Sequence, residues 1–211
     1  MTSSANDYHF VTRWRLEATC GEVADILGDP LSLPRWWPSV YLSVEQLEPP
    51  KPDGTGRRVL LRTKGWLPYT LRWESVIVDS RYPHGFTLDA TGDFEGRGVW
   101  TFEPDDKFVN VVYDWRIRAE KPFLRELSFL LRPLFESNHR WAMAQGAQSL
   151  ALELQRRRSL SDEERAQVPP PPGPVTYAAA ALVGGAALTG AALAYLVISS
   201  RNRRRRRRRL R

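Results

Sequence analysis

Hydrophobic and polar residues alternate in the first clearly patterned stretch, HFVTRWRLEA, which puts Phe10, Thr12, Trp14 and Leu16 on one side of an extended chain. A period of two predicts a half-buried strand. Thr19, followed three positions later by Glu22, then predicts a capping box that opens a short helix over CGEVADILGD. Pro30, Pro34 and Pro38 restrict PLSLPRWWPSV to a short helical turn carrying Trp36 and Trp37. From Tyr41 to Lys121 the pattern returns to strands: YLSVEQLE, GRRVLLRTKG, YTLRWESVIVDS, GFTLDATGDF, GRGVWTFEP and KFVNVVYDWRIRAEK. Turn signals such as PDGTG, YPHG and PDDK separate several of them, and the whole reads as an antiparallel meander.

The last of these strands has the clearest alternation, with Val109, Val111, Tyr113, Trp115 and Ile117 on one face and Asn110, Asp114, Arg116 and Arg118 on the other. Its apolar face needs a cover, and residues 123–158 are the only long helical stretch after the sheet. Pro133 is expected to interrupt or kink that stretch. Beyond it Phe135, His139, Met143, Ala147, Leu150 and Leu154 recur at spacings of three and four, one stripe turned to the sheet.

After the helix the composition changes twice. Residues 159–177 begin with SLSDEERAQVPPPPGP, a polar and then proline-rich linker whose run around Pro170 favours an extended spacer. Residues 178–198, AAAALVGGAALTGAALAYLVI, carry no charge, and as a helix they would extend roughly 32 Å, enough to cross the hydrocarbon core of a bilayer. Leu182, Leu188, Leu193, Leu196, Val197 and Ile198 supply most of the hydrophobicity. Ala186, Gly190 and Ala194, four residues apart, offer a weak homodimer contact between two such helices.

Charge modifies this picture at the C-terminus. The 211-residue chain has a net charge of +7, yet Arg201, Arg203, Arg204, Arg205, Arg206, Arg207, Arg208, Arg209 and Arg211 crowd into residues 199–211. Without these nine, 22 basic residues face 24 acidic ones, so the basicity belongs to the tail. No aromatic residues are interleaved for base stacking, which argues against nucleic acid as a partner, and the position directly after an apolar run favours anionic lipid headgroups. Arginine after a span favours the cytoplasmic side for the tail, whereas the N-terminus shows no cleavable signal that would export the preceding domain. We place the globular part on the cytoplasmic side, as a single-pass membrane protein.

The order of strand, two short helices, six antiparallel strands and long C-terminal helix resembles the SRPBCC superfamily, the START-like helix-grip fold, and particularly its bacterial polyketide cyclase/dehydrase-like members. LPRWWPSV, GTGRRVLLRTKGWLPYTLRWE, GDFEGRGVWTF and NHRWAMAQGAQSL carry the resemblance, which covers residues 8–158. It implies an α+β fold in which a curved antiparallel sheet of about seven strands wraps around the long helix and leaves a deep cavity for a hydrophobic molecule. Trp73, Tyr113, Trp115, His139 and Met143 are expected on the cavity wall, with Trp37 and Tyr69 near an entrance; for any one aromatic, a plain core position is the alternative.

Chemistry is sparsely encoded. His139 lies on the apolar stripe and is the one candidate for proton transfer, although Asp114, its would-be orienting partner, is expected on the opposite face of the sheet. His9, His84 and His139 are scattered, Cys20 is the single cysteine and reads as a small buried residue, and neither a metal site nor a cofactor is expected. GDFEGRG lacks the Lys-Ser/Thr of a phosphate loop and reads as turns or a bulge. Arg62, Lys64 and Arg72 are expected on a solvated sheet face. Two functions follow: a membrane-tethered carrier or sensor for a lipid, isoprenoid or polyketide-like ligand, or a polyketide cyclase/dehydratase-like enzyme whose His139 moves a proton in the same cavity.

Overall fold

A computed structural model of the chain describes residues 6–119 and 122–176. The region over 178–198 read as membrane-spanning, with its small-residue pairing stripe, and the arginine block of 199–211 lie outside the described residues. Among the described residues no helix is long and apolar enough to cross a membrane.

Seven strands form one sheet: β1 (Asp7–Leu16), β2 (Tyr41–Glu48), β3 (Arg58–Lys64), β4 (Thr70–Ser80), β5 (Gly85–Gly92), β6 (Phe94–Asp105) and β7 (Phe108–Ala119). Their order is β1-β7-β6-β5-β4-β3-β2, with every neighbouring pair antiparallel. Strands β2 to β7 are the meander expected from alternation. Strand β1 closes against the last strand in the chain, with Phe10 opposite Trp115, Thr12 opposite Tyr113 and Trp14 opposite Val111. Register shifts at Tyr41/Ser43, Gln46/Glu48 and Ile77/Asp79 add local bends that help the sheet curve.

The segment between β1 and β2 carries two short helices, the first packed on β6 and the long C-terminal helix and the second on β2 and the same helix. Helix α1 (Cys20–Leu27) is capped as its sequence requires: the Glu22 amide donates to Thr19 Oγ1 at 3.2 Å, and the Thr19 amide donates to Glu22 Oε2 at 2.8 Å. Val23 and Ile26 are fully buried beneath it. A 3-10 turn (Pro30–Ser32) leads into the single turn of α2 (Leu33–Trp36).

Helix α3 (Pro122–Arg158) lies across the concave face. It runs through Pro133, so the expected interruption is absent. Proline removes only one rung of the hydrogen-bond ladder, and the segment beyond it is held by packing of Met143, Leu150 and Leu154. The arrangement is a helix-grip: a curved seven-stranded antiparallel sheet closed over a long C-terminal helix. Buried Glu153 fastens α2 to α3, accepting from Arg35 Nη1 at 2.8 Å and Nη2 at 2.6 Å while Arg157 Nε donates at 2.9 Å.

Three local expectations change. The polar half of the linker forms α4 (Asp162–Gln167), capped by Ser161 Oγ accepting from the Glu164 amide, and Arg156 donates to the Pro169 carbonyl. GDFEGRG is mostly strand β6, with the turn confined to the residues around Asp93. Arg62 and Arg72 are exposed and directly opposed across β3 and β4, whereas Lys64, at the end of β3, reaches the chamber described next.

Candidate functional site

Between the concave sheet face and the middle of α3, from Phe135 to Met143, lies a cavity of about 160 Å³. Trp37, Tyr69, Trp73, Tyr113, Trp115, His139 and Met143 all line it. The sequence missed Tyr8, Phe10, Tyr41, Phe94 and Asn138, which line it as well. Phe10 already lies on the inward face read from the alternation with Trp14, and extending that alternation two residues toward the N-terminus finds Tyr8. Asn138 lies beside the stripe drawn through His139; the buried face of α3 is wider than a single line at spacings of three and four.

Close approach shapes the walls. Tyr113 stacks on Trp100 at 4.0 Å between ring centroids and on Trp115 at 5.5 Å, and Trp115 in turn tilts against Trp73 at 6.1 Å. The Trp73 indole donates to Thr63 Oγ1 at 3.1 Å, which fixes its orientation in the wall. Trp37 is only 2% exposed, so it belongs to the interior of the chamber and not to an entrance. Tyr69 is half-buried and meets Phe135 edge to face. At the 65–69 turn, a β-carbon on Gly65 would overlap the Asn138 amide, whose Oδ1 accepts from the Leu67 amide at 3.3 Å.

Electrostatically the buried imidazole and phenols of the chamber favour their neutral forms, while Lys64 brings a cation to its lining. His139 stacks on Phe10 with 4.2 Å between centroids, and its Nε2 is 3.4 Å from Thr12 Oγ1. Burial, reinforced by the charge of Arg140, pushes its pKa down to about 4. Burial, and secondarily the neighbouring Tyr8, pushes the Tyr69 phenol up to about 12; burial also raises Tyr41 and Tyr113. Near pH 7 these imidazole and phenol groups are therefore uncharged. No carboxylate is among the described lining residues. Asp114 is on the outer face, 3.0 Å from His9 and bonded to Arg116, too far around the strand to orient His139. Among the described residues no cluster of His, Cys, Asp and Glu could hold a metal ion.

The cavity's volume is close to the roughly 150 Å³ that accepts one benzene ring, and below the several hundred Å³ typical of small-molecule sites. A second, inner void of about 50 Å³ is adjacent, and Trp37, Tyr41 and Trp73 wall both spaces. Chemically the arrangement suits an apolar, ring-bearing or chain-bearing guest with few polar groups.

The family described as polyketide cyclase/dehydrase and lipid transport matches residues 9–155. No curated protein matches by sequence. Among solved structures, TTHA0849 from Thermus thermophilus is similar at 17% identity and a TM-score of 0.59, over 72% of this chain and 100% of that one. The Zhui aromatase/cyclase from Streptomyces sp. R1128 is similar at 16% identity and 0.57, over 74% and 98%. The di-domain ARO/CYC BexL from the BE-7585A biosynthetic pathway is similar at 16% and 0.53, over 70% of this chain and 50% of that one. At these identities the similarity establishes the shared fold.

Proposed function

The chain belongs to the polyketide cyclase/dehydrase and lipid transport family, and from that premise we propose that it is a membrane-tethered binding protein for a hydrophobic small molecule of lipid, isoprenoid or polyketide-like character. The observation that carries this reading is the chamber itself: stacked aromatic walls, a neutral imidazole and neutral phenols, and, among the described lining residues, no carboxylate to drive proton transfer. Binding by burial of apolar surface needs nothing more. In this reading the uncharged run 178–198 is a single-pass anchor, the arginine block of 199–211 grips anionic headgroups, and the globular domain faces the cytoplasm. The residues 8–158 are the ligand-binding domain, and 159–177 the tether.

Native mass spectrometry with lipid extraction on protein purified from its own cells tests the proposal. A defined apolar molecule that co-purifies with the full-length chain supports it. An empty chamber in protein that retains bulk membrane lipid would count against ligand storage.

A second reading has its own support, from the His139–Thr12 pair and from the aromatase/cyclase names of similar structures. A cyclase or dehydratase would use His139 as the proton-transfer group. An imidazole with a pKa near 4 is unprotonated at neutral pH but a weak base, which limits the rate it can supply. His139→Gln separates the readings: an enzyme loses turnover while still binding, and a carrier loses little.

A further inference from the structure

Arg57 immediately precedes β3 and, among the described residues, is the only arginine whose side chain lines the inner void. The inward positions that follow it are Val59, Leu61 and Thr63, 2%, 2% and 6% exposed, and Thr63 already belongs to the outer cavity. The row from Thr63 back to Arg57 spans about 20 Å of strand, so the Arg57 guanidinium, 22% exposed and bordering a surface depression on its other side, lines the far end of the small void, whereas Lys64 lines the outer cavity.

Two donors on residues that line this void lack acceptors among the described residues: Arg57 Nε and the indole Nε1 of Trp37. Arg57 uses Nη1 on the Gly28 carbonyl at 3.2 Å, and Asp29 Oδ1 is 3.7 Å from the same nitrogen, which leaves Nε free to bond elsewhere. Leu27, Leu33 and Leu88 furnish apolar wall around them, and no carboxylate is among the described residues that line the void. A buried donor without an acceptor is costly, and more so when it belongs to a cation. A carboxylate, with two oxygens and several lone pairs, has the capacity for both donors at once. The void of about 50 Å³ exceeds the roughly 10–15 Å³ that a water requires, so a compact polar head fits without opening the core.

We propose that this inner end is an acid-binding subsite, in which Arg57 and Trp37 hold the carboxylate of an apolar monocarboxylic acid whose chain or ring fills the aromatic chamber. The inference rests on the chamber being a ligand site, and narrows its ligand from apolar molecules in general to apolar acids.

Isothermal titration of the full-length chain with decanoate and with methyl decanoate, both below their aggregation concentrations, tests it. Decanoate should bind about tenfold or more tightly than the ester, the advantage of a charge-assisted hydrogen bond. Arg57→Met should bring the acid down to the affinity of the ester, and Arg57→Lys should retain part of the difference. Equal affinities of acid and ester for the unaltered protein would overturn the subsite while leaving the chamber standing, since water then satisfies the two donors. An acid preference that survives Arg57→Met would overturn it as well. If neither compound binds, the chamber reading fails and the subsite with it. The comparison of acid with ester requires no variant, so a folding defect in Arg57→Met leaves the test intact.

Discussion

Trp37 packs against the backbone of Gly146, so close that a β-carbon on Gly146 would overlap the six-membered ring of the indole. The contact joins the turn after α2 to the middle of α3 and sets how near the helix sits to the inner wall of the chamber. Glycine in a helix interior costs about 1 kcal/mol relative to alanine, so its presence here is explained by the neighbour and not by local propensity. Gly146→Ala should therefore destabilise the domain by about 1–3 kcal/mol despite the gain in helix propensity. Urea unfolding followed by tryptophan fluorescence would read the shift in midpoint; an unchanged or higher midpoint would show that Trp37 moves aside freely.

His139 carries a pH dependence whose sign follows from its surroundings. Its pKa is about 4 in the folded chamber, against an ordinary value of 6.5, because burial disfavours the charged ring. The unfolded chain thus binds more protons between these values, and stability falls as pH drops from about 6.5 towards 4. The full loss is on the order of 3 kcal/mol. Carboxylates with lowered pKa, such as Glu22 at about 2 beside Arg158, lose their contribution only in more acid solution. His139→Gln should flatten the stability profile between pH 6.5 and 4.5. A variant profile parallel to that of the unaltered protein would place the ring in water.

Glu153 is 1% exposed and owes its charge to two guanidinium groups. Burial raises its pKa, but hydrogen bonds from Arg35 and Arg157 outweigh this and hold it below the usual range. Arg35→Ala should cost about 1–3 kcal/mol, since the remaining Arg157 shares a buried carboxylate that has lost its bidentate partner. Arg157→Ala should cost less, because the bidentate bond survives. A double-mutant cycle with Glu153→Gln would give the coupling; additive effects would mean that the Arg35 pair contributes nothing to holding α2 on α3.

The arginine tail offers a prediction independent of the chamber. Removing residues 201–211 should weaken binding of the full-length chain to vesicles containing phosphatidylserine by about tenfold or more, with an effect that fades as salt rises. Ligand binding in the chamber should be unaffected. Co-sedimentation at two salt concentrations would measure this, and salt-independent binding by the shortened chain would assign the attachment to apolar residues alone.

The strands were legible because their alternation is unusually regular. Tyr41–Glu48 was read with its observed bounds, and the inward face of β7 from Val109 to Trp115 follows directly from a period of two. Thr19 and Glu22 announced α1 through a local capping geometry that no distant residue changes. Of the two effects expected of Pro133, interruption or a kink, the interruption does not occur, because the rule for proline counts a lost local bond and omits the packing that carries α3 through it.

The chamber was legible only in part. Trp73, Tyr113, Trp115, His139 and Met143 could be named from the faces they occupy, since periodicity decides which side of an element a residue takes. Periodicity does not choose partners. Only the folded chain placed β1 against β7, bringing Phe10 onto His139, and set Trp37 into the space left by Gly146. Arg57 and Trp37, each with an unpartnered donor, likewise come to line one void through such long-range packing. Sequence by itself determined the elements and their apolar faces, because those depend on neighbours within a few residues. Tertiary structure decided the depth of the chamber and the charge at its inner end, because those depend on residues that the chain brings together from opposite ends of the domain.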